Sequence, residues 1–113
     1  MKDIFLGKTF EANFSKAIFE SCESIGGIFS NIQVSEATFQ EVQFDDCRLL
    51  GVHFDQVNSI GLYFEFVNSA LDFSSFYQLD LRKKMFKKST FMETDFTEAN
   101  LADSVFDSCA FNK

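Results

Sequence analysis

Thr94-Asp95-Phe96-Thr97-Glu98-Ala99-Asn100-Leu101-Ala102-Asp103 decides the fold. Each half of this stretch reads small, polar, large apolar, polar, polar. Extended backwards, the large residue recurs at Phe66, Leu71, Phe76, Leu81, Phe86 and Phe91, and forwards at Phe106 and Phe111. A second run, in a frame two residues away, goes Phe14, Phe19, Ser24, Phe29, Val34, Phe39, Phe44, Leu49, Phe54. Only Ser24 among these positions is not apolar, and thirteen of the chain's 17 Phe lie in the two runs.

A period of five suits neither regular element. On an α-helix, at ~100° per residue, successive Phe would point ~140° apart. On a straight strand an odd period sends each side chain to the opposite face. The chain must instead turn a corner every five residues, so that every large side chain points to one axis. Four corners close a square coil of about 20 residues, and coils stack at the inter-strand spacing of ~4.8 Å. The residue two before each axial one is mostly small, as in Ala17, Cys22, Ala37, Cys47, Ser69, Ser74 and Ala99. Lys84 is the charged exception there, and its amine needs a route outward or a partner. Ser24, beside Gly26-Gly27, predicts an imperfect second coil.

Sustained over 19 units, this pattern resembles the pentapeptide-repeat family, most closely at 94–103. The resemblance spans about 12 to 111. It implies an all-β fold, a right-handed quadrilateral parallel β-helix of about five coils. Residues 1–11, where Phe5 and Phe10 are out of frame, are expected to form an N-terminal cap. Residues 12–113 form the β-helix, with a register slip near 55–65 and a bulge or short loop near Asn58 to Gly61.

Composition narrows the function. The chain has 113 residues, no Pro, no Trp, one His, three Cys and a net charge of −7. No apolar run approaches the roughly 18 residues that span a bilayer, and the first residues lack the apolar core of a secretory signal. Free cysteines then favour the cytoplasm. The acidic balance argues against direct contact with nucleic acid or an anionic membrane. There is no phosphate-binding Gly loop, GxSxG, HExxH or paired-Cys motif. His53 is expected as a solvated surface residue, and the cysteines as small packed groups, since Cys47 and Cys109 lie three coils, ~14 Å, apart. No catalytic, metal-ligating or cofactor-binding residue is expected. The protein reads as a non-enzymatic binding scaffold.

Two sets of residues are candidates for an interaction surface. Segment 17–81 holds ten acids against Arg48, after which Arg82-Lys83-Lys84-Met85-Phe86-Lys87-Lys88 brings five bases. Four-fold phasing puts Glu23, Asp45, Asp46 and Glu65 on one face, continued by the basic cluster. It puts Ile28, Leu50, Phe73 and Met92 on another, as an apolar stripe of the kind that marks interfaces. The resemblance implies two sorts of partner. Some family members mimic DNA and bind DNA gyrase or topoisomerase IV, protecting it from quinolones, and relatives commonly form homodimers end to end.

Overall fold

The structure, a computed structural model, describes the backbone of residues 3–6, 9–10 and 13–112. Its strands are β1 (Asp3–Leu6), β2 (Thr9–Phe10), β3 (Ile18–Glu20), β4 (Cys22–Ile25), β5 (Ile28–Ser30), β6 (Thr38–Gln40), β7 (Val42–Asp45), β8 (Arg48–Leu50), β9 (Phe64–Val67), β10 (Met85–Lys87), β11 (Thr90–Met92), β12 (Val105–Asp107) and β13 (Ala110–Asn112). All the pairs are parallel. The chain is an all-β solenoid of about five stacked turns, 31 × 26 × 25 Å, squatter than a rod.

Four faces surround the axis. The first is a six-stranded sheet in the order β1-β4-β7-β9-β10-β12. The second holds β2-β5-β8 and β11-β13, linked by bridges from Arg48 to Ala70 and from Ala70 to Thr90. The third is marked by bridges between Asn13 and Gln33, His53 and Ser75, and Ser75 and Asp95. The fourth holds β3-β6 and the Asp80 to Asn100 bridge.

The corners explain the five-residue unit. Two residues after nearly every axial side chain the backbone turns left-handed. Fifteen non-glycine residues do so, with φ from 48° to 66°, alongside Gly26 and Gly51. On the third and fourth faces this closes a tight turn, as in Ala17 N–H to Phe14 O and Ala99 N–H to Phe96 O, both 3.0 Å. Polar residues fill fourteen of these fifteen corners, and Asn and Asp among them suit φ > 0 best. The residue before the axial one often adds a second clamp. Asn13, Ser75, Asp80, Asp95 and Asn100 each accept a bond from the backbone N–H two residues on.

The axis is filled. Leu49, Phe54, Phe66, Leu71, Phe76, Leu81, Phe86 and Phe91 are each no more than 1% exposed. Rings stack coil over coil: Phe44 on Phe66 at 5.1 Å, Phe54 on Phe76 at 5.0 Å, and Phe86 on Phe106 at 4.7 Å. Ser24 is buried in the strand opposite Phe44, and the axis beside it keeps a cavity of about 50 Å³.

Coils repeat every 20 residues at Ile18–Thr38 and Thr90–Ala110, but every 22 across one junction, where Val42 faces Phe64 and Arg48 faces Ala70. Phe54–Gln56 is a short 3-10 turn, so Gln56 takes no left-handed corner, and a second turn follows at 60–61 with Gly61 at φ 69°. The longer coil buries Val57, Leu62 and Phe64. Phe64 occupies a position that is mostly small elsewhere, and its ring lies 4.9 Å from Phe66 and 5.6 Å from Phe54. At the other end Asp3 faces Cys22 and Thr9 faces Ile28, a 19-residue step that sets Phe5 opposite Ser24 and Phe10 opposite Phe29. The rest of the expected cap segment lies outside the described residues.

Candidate interaction surfaces

On the first face, outward side chains form two columns. Glu23, Gln43 and Glu65 stack in the leading one, and Ile25, Asp45, Val67, Lys87 and Asp107 in the trailing one. Asp46 is the corner after Asp45, with φ 56°. Glu23, Asp45, Asp46 and Glu65 therefore share one face and its edge, without forming one column. Ser21 donates to Glu41 Oε2 at 3.3 Å, and the Tyr63 hydroxyl donates to Glu65 Oε1 at 2.7 Å. That bond to a carboxylate is the main reason the Tyr63 hydroxyl titrates above its usual range. A groove of about 650 Å³ runs along this corner, lined by Glu20, Ser21, Gln40, Glu41, Gly61 and Tyr63.

The basic cluster sits further along the same face. Lys83 and Lys88 are exposed corners with φ 61° and 48°, and Lys87 continues the trailing column. Lys84 escapes the axis in the way its stem permits: its Nζ donates to Arg82 O at 3.2 Å and lies 5.6 Å from the Tyr63 ring centre.

Arg82 grips Asp80 on the fourth face, with Nε 2.9 Å from Oδ1 and Nη2 2.7 Å from Oδ2. Its backbone N–H adds a third bond at 3.0 Å. These bonds hold the Asp80 carboxyl down, from an ordinary 3.8 to about 2. A folded value below the unfolded one means stability gained above about pH 4 and lost as pH falls through about 2. Both groups face solvent, so the gain is small. A carbon-13 NMR titration is expected to place the Asp80 midpoint near 2, and Arg82→Gln to return it towards 3.8. An unchanged midpoint in the variant would contradict this origin.

The apolar candidates share the second face and its trailing corner. Ile28 belongs to a column with Arg48, Ala70 and Thr90, whereas Leu50 pairs with Ser30 and Met92 with Asn112 in the neighbouring one. Asp72 lies in that second column, bonded to the Met92 N–H at 2.9 Å and to Thr90 Oγ1 at 3.0 Å. The stripe is therefore broken. Phe73 stands apart: it is 61% exposed at a left-handed corner, φ 63°, where its equivalents are Asn31, Gly51 and Glu93. A bulky side chain in this conformation carries a cost of about 1 kcal/mol. Phe73→Asn is expected to stabilise the fold by about that amount in urea unfolding, and a loss of stability would contradict the strain.

His53 is exposed, with Nδ1 3.6 Å from Asp55 Oδ1, an oxygen that is buried and has no hydrogen-bond donor. Cys22 and Cys47 are buried and Cys109 is half-buried, all as free thiols. Burial pushes the Cys47 thiol up. Among the described residues no group of three His, Cys, Asp or Glu could hold a metal, and no helix is long and apolar enough to cross a membrane.

What the sequence did not reveal is the work of the small column. Its serines are buried connectors. Ser74 Oγ donates to Leu49 O at 2.8 Å and accepts from the Val52 N–H at 3.1 Å. Ser69 Oγ accepts from the Cys47 N–H at 3.2 Å and donates to Val67 O at 2.9 Å.

Two trypsin-treated forms of QnrB1, a plasmid-mediated fluoroquinolone resistance protein, match this structure with TM-scores of 0.65 and 0.66. The match covers 95% and 96% of this chain and 72% and 74% of theirs, at 15% sequence identity. The fold is that of the pentapeptide-repeat proteins. Rfr23, a pentapeptide repeat protein from the cyanobacterium Cyanothece, also matches, at 8% identity and a TM-score of 0.43 over 97% of this chain and 88% of its own. No family model and no curated protein matches the sequence. The pentapeptide-repeat fold thus rests on architecture and period, and its outer side chains are this chain's own.

Proposed function

We propose that this protein is a non-enzymatic, cytoplasmic scaffold that acts by binding another protein on its outer surface. The observation that carries this reading is Phe73, a large aromatic group held in solvent at a corner whose equivalents are Asn31, Gly51 and Glu93. The filled axis leaves no room for a substrate inside, so recognition falls to the faces and corners. Phe73, with Leu50 and Met92 nearby on the second face, offers an aromatic anchor of the sort that dominates protein contacts. The test pairs wild type with Phe73→Asn in a retention assay using extract of the native host. A protein retained by the wild type and released by the more stable variant supports the reading. Equal retention by both contradicts it.

A second reading is DNA mimicry towards gyrase or topoisomerase IV. It is favoured by the likeness to QnrB1 and by the acidic side chains Glu23, Glu41, Asp45, Asp46 and Glu65 along the first face. A gyrase supercoiling assay, with and without a quinolone, decides it. Protection at micromolar protein that is lost in the Glu41→Lys, Asp46→Lys variant supports it, and no effect removes it.

A further inference from the structure

The first face divides its charge between two halves. Around β7 its corners are Glu41 and Asp46, both exposed and acidic. Around β10, two strands further on, the equivalent corners are Lys83 and Lys88, both exposed and basic. β9 lies between them, with Phe66 in register with Phe44 on one side and Phe86 on the other.

We propose that two copies of this chain pair side by side and antiparallel through their first faces, about a two-fold axis that lies between the copies and runs along β9 over Phe66. A half-turn about that axis lays β7 of one copy over β10 of the other, and β4 over β12. It keeps leading corners over leading corners and trailing over trailing. Glu41 then meets Lys83 of the second copy, and Asp46 meets its Lys88. Symmetry repeats both contacts, giving four opposite-charge pairs. Between the corners Asp45 lies over Lys87, Gln43 over Met85 and Glu23 over Val105, and Val67 meets its own copy. One like-charge contact remains, Glu65 beside its own copy near the axis, where each carboxylate accepts a bond from the Tyr63 hydroxyl of its own chain. A register one strand away in either direction removes the four pairs, so the charges select this alignment.

The contact is modest. Five strands at ~4.8 Å spacing and a face some 17 Å wide bury about 800 Å² in total, the size of a weak, reversible pairing. Each copy carries −7, and this long-range repulsion is screened beyond ~8 Å at physiological salt, whereas the close pairs are screened less. The pairing leaves the second face and Phe73 open, so it stands independently of the scaffold reading. It also differs from an end-to-end arrangement, which would not use these corners.

The test is sedimentation equilibrium at about 100 μM protein in 0.15 M salt. The wild type is expected to dimerise. Lys83→Glu with Lys88→Glu is expected to weaken the dimer at least tenfold, and Glu41→Lys with Asp46→Lys to do the same. An equal mixture of the two variants restores a dimer, now a heterodimer with every corner pair opposite in charge. These corners accept either sign in the fold, since Lys and Glu both occupy left-handed corners elsewhere. If a reversed variant does not fold, Lys83→Gln with Lys88→Gln reads the same loss. A monomeric wild type overturns the proposal. So does a dimer indifferent to the reversals, or a mixture that fails to associate.

Discussion

Replacing Phe54 with alanine is expected to cost about 3–5 kcal/mol of folding free energy. Phe54 is fully buried, stacks on Phe76 at 5.0 Å, and meets Phe64 at 5.6 Å and Phe66 at 5.8 Å. These rings come from two adjacent turns, so the surrounding coils have little freedom to collapse into the space left. A domain of this size holds about 5–15 kcal/mol in all, and the variant gives up a large share of it. The measurement is urea unfolding, where the midpoint should fall with little change in slope. Phe111→Ala is the contrast. Phe111 also stacks on a ring, Phe91 at 5.0 Å, but it is 55% exposed at the last turn. Water replaces what is lost there, and the expected cost is about 1 kcal/mol. Equal losses at both positions would contradict a continuous, closed axis.

The second large effect is expected at Ser74. Its hydroxyl is 1% exposed and joins two turns, donating to Leu49 O and accepting from the Val52 N–H. Ser74→Ala removes one atom from a close-packed site and leaves that N–H and that carbonyl short of a partner. The expected loss is about 1–3 kcal/mol, far above what the deleted volume alone would give. Amide exchange should show the change locally, with the Val52 amide losing protection before its neighbours. A neutral substitution would mean that small size, and not hydrogen bonding, selects serine at this position.

Much of the architecture was legible in the order of residues. A large apolar residue every five positions leaves a chain few options other than a square coil, and the absence of Pro suits a backbone committed to bonds between turns. The two-residue slip was legible as a count, but its form was not. The 3-10 turn at Phe54–Gln56 and the burial of Phe64 depend on how Val57, Leu62 and Phe64 share one widened coil, which a one-dimensional pattern does not record. The serines looked merely small because composition does not reveal what a hydroxyl touches.

The candidate surfaces were legible only to the level of faces. Phasing placed Glu23, Asp45, Asp46 and Glu65 together. It did not separate the leading column from the trailing one, nor tell either from a corner. For the same reason Ile28, Leu50, Phe73 and Met92 read as one stripe, although Asp72 interrupts it and Phe73 occupies a corner. Residue type at the corners was the missed signal. Every other left-handed corner carries a polar residue or Gly, and against that run Phe73 is an exception written in the sequence itself.

The central claim is a four-sided coil of 20 residues, widened to 22 at one junction. Inter-strand NOEs between backbone protons in a uniformly labelled sample test it most directly. The predicted contacts link Ile28 to Arg48, Arg48 to Ala70 and Ala70 to Thr90 along the second face, and His53 to Ser75 and Ser75 to Asp95 along the third. Steps of 20, 22 and 20 residues along the second face would establish the coil and its insertion together. A uniform step of 20, setting Arg48 opposite Asn68, or contacts between residues three and four apart, would contradict it.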